Sequence, residues 1–375
     1  MEDNSSCAAY RGINDPVHGW NKISKQIYNV IDTPIFQRLG YVKQLTLTNK
    51  VFPGANNTRK EHCLGVMNLA NMYSEHLKFN EYTEKCMAIA ALMHDIGHGP
   101  YSHSWDRSVY RKIYPEFEKG HDEHRKIIVQ NKYESIFKSI DVYVDDIIDC
   151  WTENDLHRAI LQGPLGCDRM DFTSRDTFYT SVRHFGYYDI NRIIENSSVI
   201  NTNQGERLCY NEKIYPDIIQ AVETRNKMYE HIYYHKTSVA SQLLLEDAID
   251  ECCDRLNFVK RTTNLDLFQY LTDSVLFEMI PLSDAAKRVF ERKLPKLQDS
   301  QVIITNEPIT AGTIYENERY NWTSPPLTNN FEPEFTKHDI YIYTKKQGPV
   351  KFKDYWRQQK ESLNTVTWRL NRVYK

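Results

Sequence analysis

The sequence predicts a mainly α protein, a helical core followed by a small C-terminal α/β lobe, and three observations predict it. Apolar residues recur at helical spacing through Val66, Met67, Ala70 and Tyr73, and again through Cys86, Ile89, Ala90 and Met93. The pattern stays helical from about 111 to 160, and beyond it Asp168, Phe172 and Asp176 share one helical face. Only after about 257 does the texture change to shorter mixed segments, where Ile340-Tyr341-Ile342-Tyr343 and Val350-Lys351-Phe352 read as two short strands.

Taken in order, residues 1 to 10 are polar and expected to be frayed. Order is expected to begin near Arg11-Gly12-Ile13-Asn14-Asp15-Pro16-Val17-His18-Gly19, a turn-rich stretch. Thr33 can cap a helix with Pro34 in its first turn. Gln44, Leu45 and the turn Phe52-Pro53-Gly54-Ala55 then lead to Arg59 and to His62, which opens the first long helix. The second runs into Met93-His94-Asp95-Ile96-Gly97-His98-Gly99-Pro100, where two glycines and a proline stop it. Asp168 sits in a further helical stretch, and Arg225, Tyr233 and His235 read as one later helix.

Composition narrows the function classes. At 375 residues the chain holds one large domain or two modest ones. Its net charge of −3 gives no global positive field of the kind that drives nonspecific nucleic-acid binding, so any polyanion site must be local. Eight cysteines are scattered without paired metal-ligand spacing, and the sequence shows no signal peptide and no apolar run long enough to cross a bilayer. Reduced thiols, an intracellular and cytoplasmic location and no membrane contact are the expectations. Triplets such as Asn56-Asn57-Thr58 then carry no glycosylation argument.

The chemistry gathers at the end of the second helix. His94 and Asp95 supply an imidazole nitrogen and a carboxylate oxygen, a pair that suits a divalent transition metal better than calcium. Seven of the thirteen histidines fall between His62 and His124, and a metal needs ligands from separate elements. His62 and Asp168 complete a set in which three helices converge on one ion. His98 and His103 lie within reach of whatever the metal binds.

The motifs Asp15-Pro16-Val17-His18-Gly19, Val51-Phe52-Pro53-Gly54-Ala55, Arg59-Lys60-Glu61-His62-Cys63-Leu64-Gly65-Val66 and His94-Asp95-Ile96-Gly97-His98-Gly99-Pro100 resemble, in order and spacing, those of the HD-domain deoxynucleoside triphosphate triphosphohydrolases. The likeness is to the catalytic core of the animal SAM-and-HD-domain branch and its bacterial relatives, and it covers nearly the whole chain. No room for a SAM domain is expected ahead of Arg11. The resemblance implies an HD-domain core over residues 11–256 and a C-terminal lobe over 257–375. It implies one iron, manganese or zinc ion held by His62, His94, Asp95 and Asp168, with Mg2+ on the triphosphate. His103 would be the general acid, oriented by Asp106, with His98 and His121 on phosphate. Arg59, Arg169 and Arg225 would hold the triphosphate, Gln44 and Asp176 the sugar 3′ hydroxyl, and Leu45 and Tyr233 the space of a 2′ hydroxyl.

Guanine and deoxynucleoside triphosphates activate the animal members by bridging subunits, and suitable chemistry is kept at Asn14, Asp32, Gln37, Arg192, Lys213, His235, Arg292 and Lys345. Gly40 and Asn211 replace family arginines, so weakened or altered activation of a homo-oligomer, a dimer or tetramer, is expected. Asp122, Phe172 and Tyr234 also depart from the family pattern.

Plainer expectations stand beside these. His76, His157 and His338 are expected to be surface or packing residues, and His124 a solvated one. The basic run Lys345, Lys346, Lys351, Lys353, Arg357 and Lys360, interleaved with Tyr355 and Trp356, reads first as a solvated face and second as a grip for nucleic acid. The alternative functions are a nucleotide or single-stranded nucleic-acid binder with little turnover, and an HD phosphohydrolase acting on another nucleotide.

Overall fold

Thr58 and Glu61 decide where the first ligand-bearing helix begins. Thr58 caps helix Arg59–Leu77 and Glu61 returns its carboxylate to the Thr58 N–H at 2.6 Å, a capping box that places Arg59 and His62 in the first turn. The helix ends at Lys78 in the left-handed conformation, and Asn80 caps helix Glu81–Met93, which packs along it and ends on His94. Helix Cys167–Tyr179 lies against Arg59–Leu77, with Asp168 in its own first turn. The three share one apolar core whose members run from Ile23 to Trp356. The computed structural model describes residues 10–117, 119–305, 321–323, 327–328, 340–359 and 367–374. The fold is mainly α, and among the described residues no helix is long and apolar enough to cross a membrane.

Among the described residues three sheets accompany the helices. The turn-rich start is a β-hairpin, Tyr10–Asp15 paired antiparallel with Gly19–Ser24, so Tyr10 is held in a strand and not frayed; residues 1–9 lie outside the described residues. The strands read near 340 and 350 are Tyr341–Thr344 and Gly348–Lys351, while Phe352 opens helix Phe352–Gln359. They join a hairpin that periodicity did not reveal, Ser197–Thr202 with Gly205–Asn211, through a parallel pairing of Gly205–Asn211 with Tyr341–Thr344. The third sheet pairs Leu297–Thr305 with Thr367–Tyr374 and adds Asn321–Thr323 and Leu327–Thr328.

Arg225, Tyr233 and His235 do not share one helix. Arg225 lies in the last turn of helix Tyr215–Met228, a single π turn Tyr229–Tyr233 follows, and His235 caps helix Lys236–Cys252. The π turn absorbs an extra residue without interrupting the apolar pattern, so the three elements look continuous in sequence. A second π turn, Asp106–Tyr110, follows His103.

The loop after Met93 leaves helix-end carbonyls in need of donors, and remote side chains supply them. Arg125 Nη1 donates to the His94 carbonyl at 2.7 Å, and Arg38 Nη2 to those of Ile96 and His98 at 3.1 and 2.6 Å. The Tyr110 hydroxyl donates to the Gly97 carbonyl at 2.5 Å, and Arg38 Nη1 reaches on to the Leu271 carbonyl at 3.0 Å. Gly97 is where this loop meets helix Gly120–Lys132 closely: a Cβ there would stand 2.1 Å from the His121 carbonyl oxygen and 2.6 Å from the Arg125 nitrogen. Both neighbours are backbone and cannot swing aside. Gly97→Ala is therefore expected to cost about 1–3 kcal/mol of stability, read as a lower denaturant midpoint at unchanged slope.

Candidate metal and catalytic site

Helix ends bring the ligand atoms together. His62 Nε2 stands 3.1 Å from His94 Nε2 and 3.1 Å from Asp168 Oδ1, and His94 Nε2 stands 3.7 Å from Asp168 Oδ1. Asp95 joins them with Oδ2 3.6 Å from His62 Nε2 and Oδ1 3.5 Å from His94 Nε2. Ligands held about 2.1 Å from one ion stand about 3.0–3.4 Å from one another, so His62, His94 and Asp168 can share a divalent cation, while Asp95 turns a different oxygen toward each imidazole. The other ring nitrogens are already engaged, His62 Nδ1 with Asp171 Oδ2 at 2.7 Å and His94 Nδ1 with the Ala91 carbonyl at 2.7 Å. Both Nε2 lone pairs are thereby left facing each other, an arrangement that calls for a cation between them.

Electrostatics agree. Burial works to lower the His62 pKa, but hydrogen bonds to Asp168 and Asp171, with the Asp95 charge nearby, push it up to about 10. Burial opposes ionisation of Asp95 as well, yet the Arg59 guanidinium and the adjacent imidazoles hold it well below the usual carboxylate range. Arg59 Nη1 pairs with Asp95 Oδ2 and Arg59 Nε donates to Ser102 Oγ at 2.8 Å, so two of its nitrogens are committed within the protein.

Beyond Asp95 lies a second cluster. His98 Nε2 is 3.4 Å from Asp95 Oδ1, and the His98 ring stacks on His121 at 3.7 Å. Asp106 receives His121 Nδ1 at 2.8 Å, the His121 N–H at 3.1 Å and His103 Nδ1 at 3.2 Å. Asp106 thus serves two imidazoles and leaves Nε2 of each turned away from it. Burial and the Arg59 and His121 charges hold His98 neutral, well below its ordinary pKa. His103 is 56% exposed beside these buried partners, the placement of a group that meets a ligand. Its approach is unusual: Tyr101 and Ser102 both have φ of +56°, and Asp273 pins them by accepting the Tyr101 N–H at 2.6 Å and the Lys43 N–H at 2.9 Å.

A third group carries Asp176. Asn57 Nδ2 donates to Asp176 Oδ1 at 2.9 Å and the Tyr233 hydroxyl to Oδ2 at 2.8 Å. Gln44 N–H bonds the Asn57 carbonyl at 3.0 Å, and Gln44 Oε1 and Asn57 Oδ1 are buried without a protein partner. Leu45 is buried. Burial pushes Asp176 up to about 6, against the pull of Asn57 and Tyr233. A carboxyl whose folded pKa exceeds its unfolded one destabilises the fold once it ionises, so stability falls as pH rises from about 4 to about 6. Asp176→Asn is expected to stabilise the protein at pH 7.5 by about 1–3 kcal/mol, with the difference vanishing near pH 4, in melting curves run across that range.

The remaining positions are dispersed. Arg225 is buried with Nη1 on the Pro164 carbonyl at 3.1 Å, and Arg169 is half-buried next to Asp168. Gln37 accepts from Lys60 Nζ at 2.6 Å, and the Lys60 stem lies 3.4 Å from where a Gly40 Cβ would be. Asp32 is the exposed C-cap of helix Lys25–Ile31, and Asn14 faces Trp20 in the hairpin register. Arg192 is bound to Asp217 at 3.0 Å, while the Lys345 N–H reaches Glu212 at 3.1 Å, which brings Lys345 beside Lys213. Arg292 reaches the Lys50 carbonyl at 3.0 Å, and the His235 ring meets Phe52.

Several expectations need correction. His124 is buried against Phe268 with Nδ1 3.0 Å from the Tyr114 hydroxyl, and is not solvated. His76, by contrast, is a packing residue as expected, bonding the Ser197 carbonyl at 2.9 Å, and His338 lies outside the described residues. Trp356 is 3% exposed in the core beside Tyr215 and Phe352, so it cannot stack on a nucleic-acid base. A cavity of about 360 Å³ opens between Pro16, Met72, Thr177 and Tyr188, but no proposed metal ligand and no histidine of the second cluster lines it. Sequence reasoning left Asp171, His18, Arg175, Asn57 and Asp273 without roles.

Residues 59–154 match the HD domain. A Dictyostelium discoideum protein named deoxynucleoside triphosphate triphosphohydrolase SAMHD1 homolog is 28% identical over 324 residues, covering 81% of this chain and 59% of its own length. The human deoxynucleoside triphosphate triphosphohydrolase SAMHD1 is 25% identical over 340 residues, 78% of this chain and 52% of its own. An uncharacterized protein of Methanocaldococcus jannaschii is 29% identical over 275 residues, 72% of this chain and 57% of its own. The chain spans little more than half the length of these relatives.

Proposed function

From a chain that carries an HD domain and is a homologue of deoxynucleoside triphosphate triphosphohydrolases, we propose a metal-dependent hydrolase that splits dNTPs into deoxynucleoside and inorganic triphosphate. The observation that carries this reading is the pair of facing imidazoles, His62 and His94, bracketed by Asp95 and Asp168, with a proton-handling cluster one carboxylate away. The chemistry a bound iron, manganese or zinc ion supplies is Lewis acidity toward water and phosphate oxygen.

The chain's own groups do the rest. Water adds to the α-phosphorus and loses one proton to solvent, the bond to the 5′ oxygen breaks, and His103 Nε2 gives that oxygen its proton and regains one from solvent after turnover, with Asp106 holding the ring. Neutral His98 contacts phosphate, as does His121 beside it, and Arg59, Arg169 and Arg225 balance the triphosphate charge together with Mg2+. Gln44 Oε1 and Asp176 receive the 3′ hydroxyl, and Leu45 and Tyr233 crowd the 2′ position, a steric filter that rejects an added hydroxyl only modestly.

Weakened guanine activation follows from Gly40, which offers no side chain, and from Asn211, whose Oδ1 is spent on the Lys213 N–H at 3.0 Å. In this reading Asp32 and Gln37, Arg192, Lys213 and Lys345, and Arg292 and His235 would meet activator nucleotides between copies of a homo-oligomer. Lowering of dNTP pools inside a cell is the role proposed for such turnover.

Product analysis tests the reading. Purified protein given each dNTP, with and without GTP, in Mg2+ plus Mn2+ or Fe2+, is expected to release deoxynucleoside and triphosphate in equal amounts. Retention of dNTP under every condition would turn the assignment to a nucleotide-binding protein, and cleavage of a different nucleotide would move the substrate.

A further inference from the structure

The motif Asp15-Pro16-Val17-His18-Gly19 and the acid Asp171 take no part in the reaction above, yet both are built into the wall behind His62. Asp171 and Arg175 are fully buried. Arg175 forks the carboxylate, Nε donating to Asp171 Oδ2 at 2.9 Å and Nη2 to Oδ1 at 2.8 Å, and Nη2 also reaches Asp15 Oδ2 at 2.8 Å. Asp15 Oδ1 in turn accepts the N–H groups of Val17 and His18 at 2.8 and 2.9 Å, which shapes the hairpin turn. His18 closes the ring: its Nε2 lies 2.6 Å from Asp171 Oδ1.

A carboxylate forked by arginine accepts hydrogen bonds and has none to give. Both imidazoles that touch Asp171 must therefore bring an N–H, His18 through Nε2 and His62 through Nδ1. With Nδ1 carrying its proton, the lone pair of neutral His62 is confined to Nε2, the atom that faces His94 and Asp168. Gly65 makes the room, since a Cβ there would come within 1.9 Å of Asp171 Oδ1 and 2.3 Å of Arg175 Nη2.

We propose that Asp171 and His18 are positioning residues for the metal centre, holding His62 in its Nδ1–H tautomer with Nε2 aimed at the ion. The inference rests on the metal-centre reading and on no substrate. The test uses the full chain, stripped of metal by a chelator and titrated with Co2+, as wild type, Asp171→Asn and His18→Ala. Affinity is read by competition with a chelating dye, and ligand geometry by the visible absorption of bound Co2+. Asp171→Asn is expected to bind 10- to 100-fold more weakly with an altered Co2+ spectrum, because its amide offers His62 Nδ1 a hydrogen as readily as an oxygen. His18→Ala is expected to lose about tenfold, since Arg175 still grips Asp171. Wild-type affinity and spectrum in the folded variants would overturn the proposal; should Asp171→Asn fail to fold by circular dichroism, His18→Ala decides it. A wild-type protein that takes up no Co2+ would overturn the metal-centre reading itself.

Discussion

Asp95→Asn is expected to lose turnover by about a thousandfold or more, and most of its metal with it. Asp95 touches both clusters, with Oδ1 3.5 Å from His94 Nε2 and 3.4 Å from His98 Nε2, while Oδ2 balances the buried Arg59 charge. Asparagine keeps the volume and can still accept from Arg59, so the fold should persist. The neutral amide is a poor ligand for a hard divalent ion and forfeits several kcal/mol of Lewis-acid assistance, each 1.36 kcal/mol being about a factor of ten. Metal analysis, turnover and melting measured on one preparation check this together. Full metal content with undiminished turnover would remove Asp95 from the ligand set.

His103→Ala should separate proton transfer from metal binding. Its exposed ring makes no contact that the metal group needs, so metal content is expected to stay at the wild-type level while kcat falls about 10²- to 10⁴-fold. A triphosphate ester whose leaving group departs without a proton, such as 4-nitrophenyl triphosphate, is expected to recover most of that loss. An equal deficit on both substrates would assign His103 to binding and not to acid catalysis. Asp106→Asn should lower turnover on both substrates, because Asp106 orients His121 as well as His103.

Much of this site could be read from the sequence, and the reason is local. His94, Asp95, His98 and His103 occur within ten residues, and the helix that delivers them stops on glycine and proline. His62 and Asp168 could be named because each stands in an early turn of a periodic stretch. Asp171 could not, since its partners are His18, far earlier in the chain, and Arg175, one turn later on the same helix. Asn57 was hidden in a triplet whose usual meaning is glycosylation, while its amide serves Asp176. The hairpin Ser197–Thr202 and Gly205–Asn211 stayed hidden because its strands are short and mixed in polarity, and much of its support comes from Tyr341–Thr344 more than a hundred residues away. The two π turns leave helical periodicity nearly intact, so spacing alone could not mark them.

The ties from Arg38 to Leu271 and from Asp273 to Tyr101 and Lys43 bear on how the chain can be cut. A fragment trimmed near residue 256 would keep every group proposed to meet metal or substrate and still lack the wiring that sets them. Its Arg38 would lose the Leu271 carbonyl and the Phe268 ring 4.0 Å away, and Tyr101 would lose the carboxylate that holds its uncommon backbone. The shortest useful fragment therefore runs past Asp273, and a conventional boundary drawn around the family motif would yield helices without a working centre.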